Sequence, residues 1–192
     1  ADKIDAANLT LDEVLHPEKY PYVLLSLTIS NETEPNEPYW NKLVELFSGF
    51  DIHQILQNDE VKQCCRKVIA QNDRYMDVLR EHTLLNQQVS ITDFRSFDNP
   101  PGGNRFLVYS LFPESAVNVR IRYENPARDI VVVNVGHSIF NPKCSVNVGL
   151  MLAQFDGGGH RGAGSTRLPV DKADETIRQI IDCLVKNENN EG

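Results

Sequence analysis

The chain has no long apolar run. Its longest, around Tyr22–Ile29, falls well short of the roughly 20 apolar residues that a spanning helix needs. A helical membrane span is therefore excluded, and no membrane partner is expected. No secretory signal segment is visible either, so the expected address is cytoplasmic. Cysteine is sparse: Cys64 and Cys65 are adjacent, Cys144 and Cys183 stand alone, and no C-x-x-C or Cys/His pair has zinc spacing. Reduced, mostly buried thiols are the expectation. Positive charge is in deficit, with a net charge of −8, which argues against a protein that coats nucleic acid. The deficit is uneven. Acids dominate the first half, whereas bases outnumber acids between Arg105 and Arg167, so an anionic ligand has a local place to bind. An initiator methionine is also lacking. The opening Ala1-Asp2-Lys3-Ile4-Asp5 leads us to expect a processed or truncated chain. There is no internal repeat.

What is present divides into two halves. Asn8–Glu13 reads as a short capped helix or turn closed by His16-Pro17. Tyr22–Ile29 is too short and too uniformly apolar to assign by period. Asn31–Pro38 reads as an acidic loop. Pro38 opens a helix with Tyr39, Trp40, Leu43, Val44 and Phe47 on one stripe, ended by Gly49. Asp51 caps a short helix, and a long helix runs from about Asp59 to Leu85. After Asn86 the pattern changes. Val89–Asp93, Phe106–Phe112, Val117–Tyr123 and Ile130–Val135 read as strands, with Asn118, Arg120 and Arg122 on one polar, cationic face. The stretch 99–104 is a turn, Asn147–Phe155 a helix, and Ser165–Leu168 a last strand. A final helix starts at Pro169-Val170-Asp171, with Asp171 and Asp174 spaced as a capping box. The tail from Lys186 reads as frayed. The expected fold class is α/β, a mixed β-sheet with flanking helices, preceded by a mainly helical segment. The expected division is 1–88 and 89–192.

Chemistry concentrates in Gly157-Gly158-Gly159-His160-Arg161-Gly162-Ala163-Gly164. Glycines let backbone N–H groups approach a ligand closely and can form a concave nest for anions. His160 adds a titratable donor and Arg161 a fixed positive charge. The segment is neither a Walker loop nor a dinucleotide fingerprint, because the required lysine, hydroxyl and strand–turn–helix setting are missing. The alternative is a flexible glycine turn with a solvated His-Arg pair. His137-Ser138 closes the buried strand, with Asn141 and Asn147 shortly after. Polar residues at such a strand end commonly meet ligands, although His137 could equally be a satisfied structural histidine.

The run Phe155–Gly164 resembles the signature loop of the DHH-associated domain, the C-terminal lobe of the DHH phosphoesterase superfamily. Gly103-Asn104-Arg105-Phe106, Val135–Asn141 and Asn147-Val148-Gly149 are similar to its exopolyphosphatase-related branch, and Asp2–Ala7 resembles that branch's last catalytic-lobe motif. The resemblance implies a two-lobed hydrolase. One lobe would hold two divalent metals, typically manganese. The other would bind a phosphate-bearing substrate: a short oligonucleotide or single-stranded nucleic acid, a cyclic dinucleotide, or polyphosphate. Gly157, Gly158, Gly159 and His160 would contact substrate. Arg161, His137, Ser138 and Asn141 join them as expected binding residues. His137 stands where relatives often carry arginine, and Asp156 where many carry another glycine. Asp5 is expected as the catalytic metal ligand, with Asp2 as alternate.

The chain departs from that pattern in one large respect. It contains no Asp-His-His sequence and no earlier aspartate motif, and a lone aspartate cannot hold two hard cations. The expectation is a phosphoesterase part that binds no metal and is silent by itself, with a missing N-terminal catalytic lobe as its partner. Two other classes stay open: a non-catalytic nucleotide- or nucleic-acid-binding module, and a structural or oligomerisation domain. Uncovered apolar stripes in the first half would favour a homo-oligomer.

Overall fold

A computed structural model describes residues 2–30 and 36–191, with only the backbone of Asp2 and Asp5. The acidic stretch 31–35 lies outside the described residues. The chain forms two compact units. The first comprises Ala1–Asp77 and Pro101–Leu107, the second Val78–Pro100 and Val108–Gly192.

The first unit is helical. After α1 (Asp2–Asp5), α2 (Leu11–Leu15) starts at a capping box: Thr10 Oγ1 accepts from the Glu13 N–H, and the Glu13 carboxylate accepts from the Thr10 N–H. Lys3 Nζ donates to the same carboxylate at 2.6 Å, and this bond above all holds the Glu13 acid below its ordinary range. The unassigned apolar run is α3 (Pro21–Ser30). Val23, Leu24, Leu25 and Leu27 are all buried, which is why it shows no amphipathic period. Asn36 caps α4 (Glu37–Phe47). Only part of the expected stripe is inside: Tyr39 and Leu43 are buried, while Val44 is 71% and Phe47 48% exposed. Asp51 caps α5 (Ile52–Ile55) in a capping box with Gln54. Leu24, Leu25, Tyr39, Leu43, Ile52, Ile55, Val61 and Cys65 share one core.

Helix α6 (Asp59–His82) is shorter than its periodicity suggests. Thr83, Leu84 and Leu85 leave it as strand β1 (Thr83–Asn86), paired antiparallel with β2 (Val89–Asp93). β-branched Thr83 suits that change, and its hydroxyl meets that of Thr92 at 2.9 Å. The expected strand over Phe106–Phe112 is instead helix α7 (Leu107–Leu111). Asn104 turns the chain into it by accepting from the N–H groups of Phe106, through its side chain, and of Leu107, through its carbonyl. Gly103 must lack a side chain, because a Cβ there would clash with the Tyr75 ring, lying 2.6 Å from its Cγ and nearer still to Cδ1.

The second unit is α/β. Strands β3 (Val117–Tyr123), β4 (Ile130–His137), β5 (Gly158–His160) and β6 (Ala163–Pro169) complete a sheet of order β1-β2-β3-β4-β6-β5. Among the described strands only the β2–β3 pair is parallel. One face packs Val117, Val119, Ile121, Val131, Val133 and Val135 against α8 (Val148–Ala153) and α9 (Val170–Lys186). The other face carries Asn118, Arg120, Asn134 and Ser165. Helix α9 starts after Pro169 without a side-chain cap. The expected Asp171/Asp174 box is not formed, since Asp174 instead accepts from Arg95 Nη1 at 2.6 Å. No described helix is long and apolar enough to cross a membrane.

Candidate functional site

The glycine cluster is the outer hairpin of the sheet. Residues expected as a free loop form edge strand β5, and Gly158, Gly159 and His160 lie opposite Ser165, Gly164 and Ala163. Two close approaches explain the glycines. Gly159 has φ +153°, and a Cβ there would sit 2.5 Å from the Gly164 Cα. A Cβ on Gly149 of α8 would meet the Gly159 carbonyl oxygen at 2.5 Å. The Gly157 N–H donates to the Leu152 carbonyl, so it is committed to the end of α8. The groups of the hairpin left exposed are therefore its outer edge, which no further strand covers among the described residues, and the side chains of His160 and Arg161.

The hairpin tip is bolted down from two sides. The Val148 N–H donates to the Arg161 carbonyl, and the His137 N–H to the Gly162 carbonyl. His137 lies beside this tip, on the core-facing side of β4 opposite Val117. Its Nε2 is 3.0 Å from the Val146 carbonyl oxygen. A carbonyl can only accept, so Nε2 carries the hydrogen in the neutral ring. Burial is the main cause that lowers the His137 pKa from 6.5. The bond to Val146 opposes that shift, and the Arg161 charge adds to it.

Ser138 and Asn141 take structural partners. Ser138 Oγ accepts from the N–H groups of Phe140 and Asn141, and Asn141 Nδ2 donates to the carbonyls of Pro113 and Glu114. Asn141 thereby lines an open cleft of about 520 Å³, with Gln87, Gln88, Pro113, Glu114 and Lys143. The structure thus brings His137, Gly162 and the Gly157–Arg161 run together, while Ser138 and Asn141 belong to the connection after β4. The side chains of Asp2 and Asp5, the expected metal ligands, lie outside the described residues. Among the described residues no three His, Cys, Asp or Glu side chains are grouped to hold a metal ion. That donor set does not fit a two-metal centre, and we derive no step through one.

One residue that sequence reasoning left out, Glu191, lies against the hairpin. Arg161 pairs with the Glu191 carboxylate, whose other oxygen accepts from Asn147 Nδ2 at 2.7 Å. The Arg161 bond, then the Asn147 bond, holds the Glu191 acid below its usual range. The tail is not frayed over these residues. Asn187, with φ 54°, accepts from the Ser145 N–H and donates to the Lys143 carbonyl. Asn190 bonds both the N–H and the carbonyl of Asn147. Each asparagine amide thus substitutes for a strand partner's backbone. The signal in the sequence was the asparagine spacing at 187, 189 and 190, which charge and hydropathy alone do not register.

The fold recurs in solved structures. It matches that of a pGpG-specific phosphodiesterase, PggH from Vibrio cholerae, with a TM-score of 0.85 and 23% identity over 97% of this chain. This chain spans 65% of that protein's length. CDC45 from Entamoeba histolytica shares the fold more distantly, with a TM-score of 0.57 and 8% identity over 86% of this chain and 37% of the other. An exopolyphosphatase-related protein from Bacteroides fragilis reaches only 0.48, at 14% identity over 80% and 45% of the two chains, too low to carry an argument. No protein-family model and no curated protein matches the sequence.

Proposed function

We propose that this chain is the substrate-binding part of a metal-dependent DHH-type phosphoesterase, and that it binds a phosphate-bearing ligand at the β5–β6 hairpin. The observation that carries this reading is the agreement of nearly the whole chain with the fold of a phosphodiesterase named for pGpG. The glycine–histidine–arginine segment forms the open edge of the same sheet. His160 and Arg161 supply donors for phosphoryl oxygens, and the glycines let those oxygens reach the backbone. Hydrolysis of a phosphodiester or phosphoanhydride bond would need divalent metal, with manganese as the expected ion, held by residues beyond those described. A linear dinucleotide is the first substrate to try, ahead of longer oligonucleotides, cyclic dinucleotides and polyphosphate.

Calorimetric titration of the full chain with pGpG should show binding that His160→Ala abolishes. Unchanged affinity in that variant would end this reading. A non-catalytic nucleotide-binding module is the second reading, favoured by the lack of a metal-holding group among the described residues. Manganese-dependent cleavage of pGpG by the same chain would exclude it.

A further inference from the structure

Helix α4 turns an apolar stripe to solvent. Trp40, Val44 and Phe47 recur at steps of four and three residues, which places them on one side of the helix. Phe50 prolongs the stripe beyond the last helical residue, because its N–H still donates to the Leu46 carbonyl four residues back. Trp40 is half-buried at the head of the stripe, while Val44 is 71%, Phe47 48% and Phe50 53% exposed. The inward side of the same helix is already filled by Tyr39 and Leu43. Single exposed apolar residues are ordinary on any surface, but three large ones on successive turns make a patch on the order of 300 Å². Contiguous patches with a polar rim mark interaction surfaces.

The rim of this patch has one sign. Glu37 and Glu45 are exposed on the same helix, and Asp51 follows Phe50 directly. Lys42 pairs with Glu45 at 3.3 Å and stands alone among the bases: residues 31–58 hold five acids, one lysine and no arginine. That sign discriminates between occupants. A second copy would bring the same acids in a chain of net charge −8, and like charges across an interface repel. The patch also falls well short of the roughly 800 Å² per partner that a standard interface between folded proteins buries. An anionic lipid surface is repelled for the same reason of charge. A stripe about one helix long with an acidic border matches a single amphipathic helix with a basic border, packed in the manner of paired helices whose flanking charges choose the partner.

We propose that the Trp40–Phe50 face of α4 docks one amphipathic helix of another polypeptide, apolar along one stripe and bordered by Lys or Arg. Val44, Phe47 and Phe50 supply the apolar contact, and Glu37 and Glu45 select the basic border. The surface belongs to the helical unit and uses none of the hairpin residues. It therefore stands or falls independently of phosphate binding.

Trp40 is the single tryptophan of the chain, so its fluorescence reports docking at the stripe itself. The test titrates the full chain with two tryptophan-free helical peptides of about 18 residues. They share one leucine stripe, bordered by lysine in the first and by glutamate in the second. The lysine peptide should bind with a blue shift of Trp40 emission, and the glutamate peptide should bind about tenfold or more weakly by comparison. Val44→Ser changes the most exposed member of the stripe. It should keep the wild-type Tm and weaken the lysine peptide by about tenfold, as expected for one buried aliphatic side chain. Glu37→Lys/Glu45→Lys should reverse the preference between the peptides. Failure of the lysine peptide to bind, equal affinity for both peptides, or binding that Val44→Ser leaves unchanged would overturn the proposal. A wild-type dimer that Val44→Ser dissociates would overturn it in favour of a second copy, and a Trp40 shift on phosphatidylcholine vesicles in favour of a lipid surface.

Discussion

His137 is a structural residue set beside the glycine hairpin. Its ring is half-buried, donates to the Val146 carbonyl and feels the Arg161 charge. Burial depresses its pKa below 6.5, so the folded protein takes up a proton at lower pH than the unfolded chain. Above pH 6.5 both states are neutral and the group contributes nothing. As pH falls through 6.5 the unfolded chain gains a proton first, and stability drops until the folded pKa is passed. Urea unfolding of wild type and His137→Asn at pH 7 and pH 5 should give a smaller loss on acidification in the variant, whose amide can still donate to Val146. Equal losses in the two proteins would refute the assignment. Gly159 is the second informative residue. Its φ of +153° and the crowding from β6 leave no room for a methyl group, so Gly159→Ala should cost about 1–3 kcal/mol, read as a shift in the urea midpoint.

At the scale of elements, the second unit hangs on α9 and α8 covering one sheet face. Ile180 is fully buried in that layer, and Ile180→Ala should destabilise the protein by about 2–5 kcal/mol, measurable by chemical denaturation. A loss well under 1 kcal/mol would mean that α9 does not seal the core as the structure has it. The same elements show what the sequence makes legible. Strands β2, β3 and β4 could be read because alternation and a valine run follow directly from one buried face or two. Helices α2 and α5 could be read from their caps. Helix α3 could not, because it is buried over most of its surface and loses the amphipathic period. Leu107–Leu111 was misread because five mostly apolar residues suit a strand or a helix equally, and only the Asn104 turn decides. Thr83–Leu85 was read as the end of the long helix because strand pairing with Val89–Asp93 is a non-helical gain that no local pattern announces. In the site, Gly157–Arg161 stood out by composition. Glu191 did not, since its pairing with Arg161 exists only once the tail asparagines bind residues 143–147.

At the scale of the whole molecule, the chain carries a net charge of −8 and yet is read as a binder of anions. The tail turns that tension into something measurable. Through Asn187 and Asn190 it is clamped along residues 143–147, and this brings the Glu191 carboxylate onto Arg161 and Asn147. A phosphoryl group approaching Arg161 must displace that carboxylate, so the apparent dissociation constant is raised by the fraction of molecules in which the tail is docked. Arg161 holds the Glu191 acid below its usual range, so the competing charge persists throughout neutral and mildly acidic pH. It is lost only as pH falls through that depressed value. Glu191→Gln should therefore bind pGpG several-fold more tightly than wild type at pH 7, with the advantage constant down to about pH 5 given ordinary carboxylate titration. The advantage should shrink as salt is raised, since the Arg161–Glu191 pair is partly exposed and screened. Arg161→Gln should abolish the difference between Glu and Gln at position 191, because the carboxylate then has no guanidinium to occupy. If Glu191→Gln binds as wild type does while Arg161→Gln binds less tightly, the tail does not compete. If neither change alters affinity, Arg161 makes no contact with the ligand, and His160 and the glycine edge must carry the site without it.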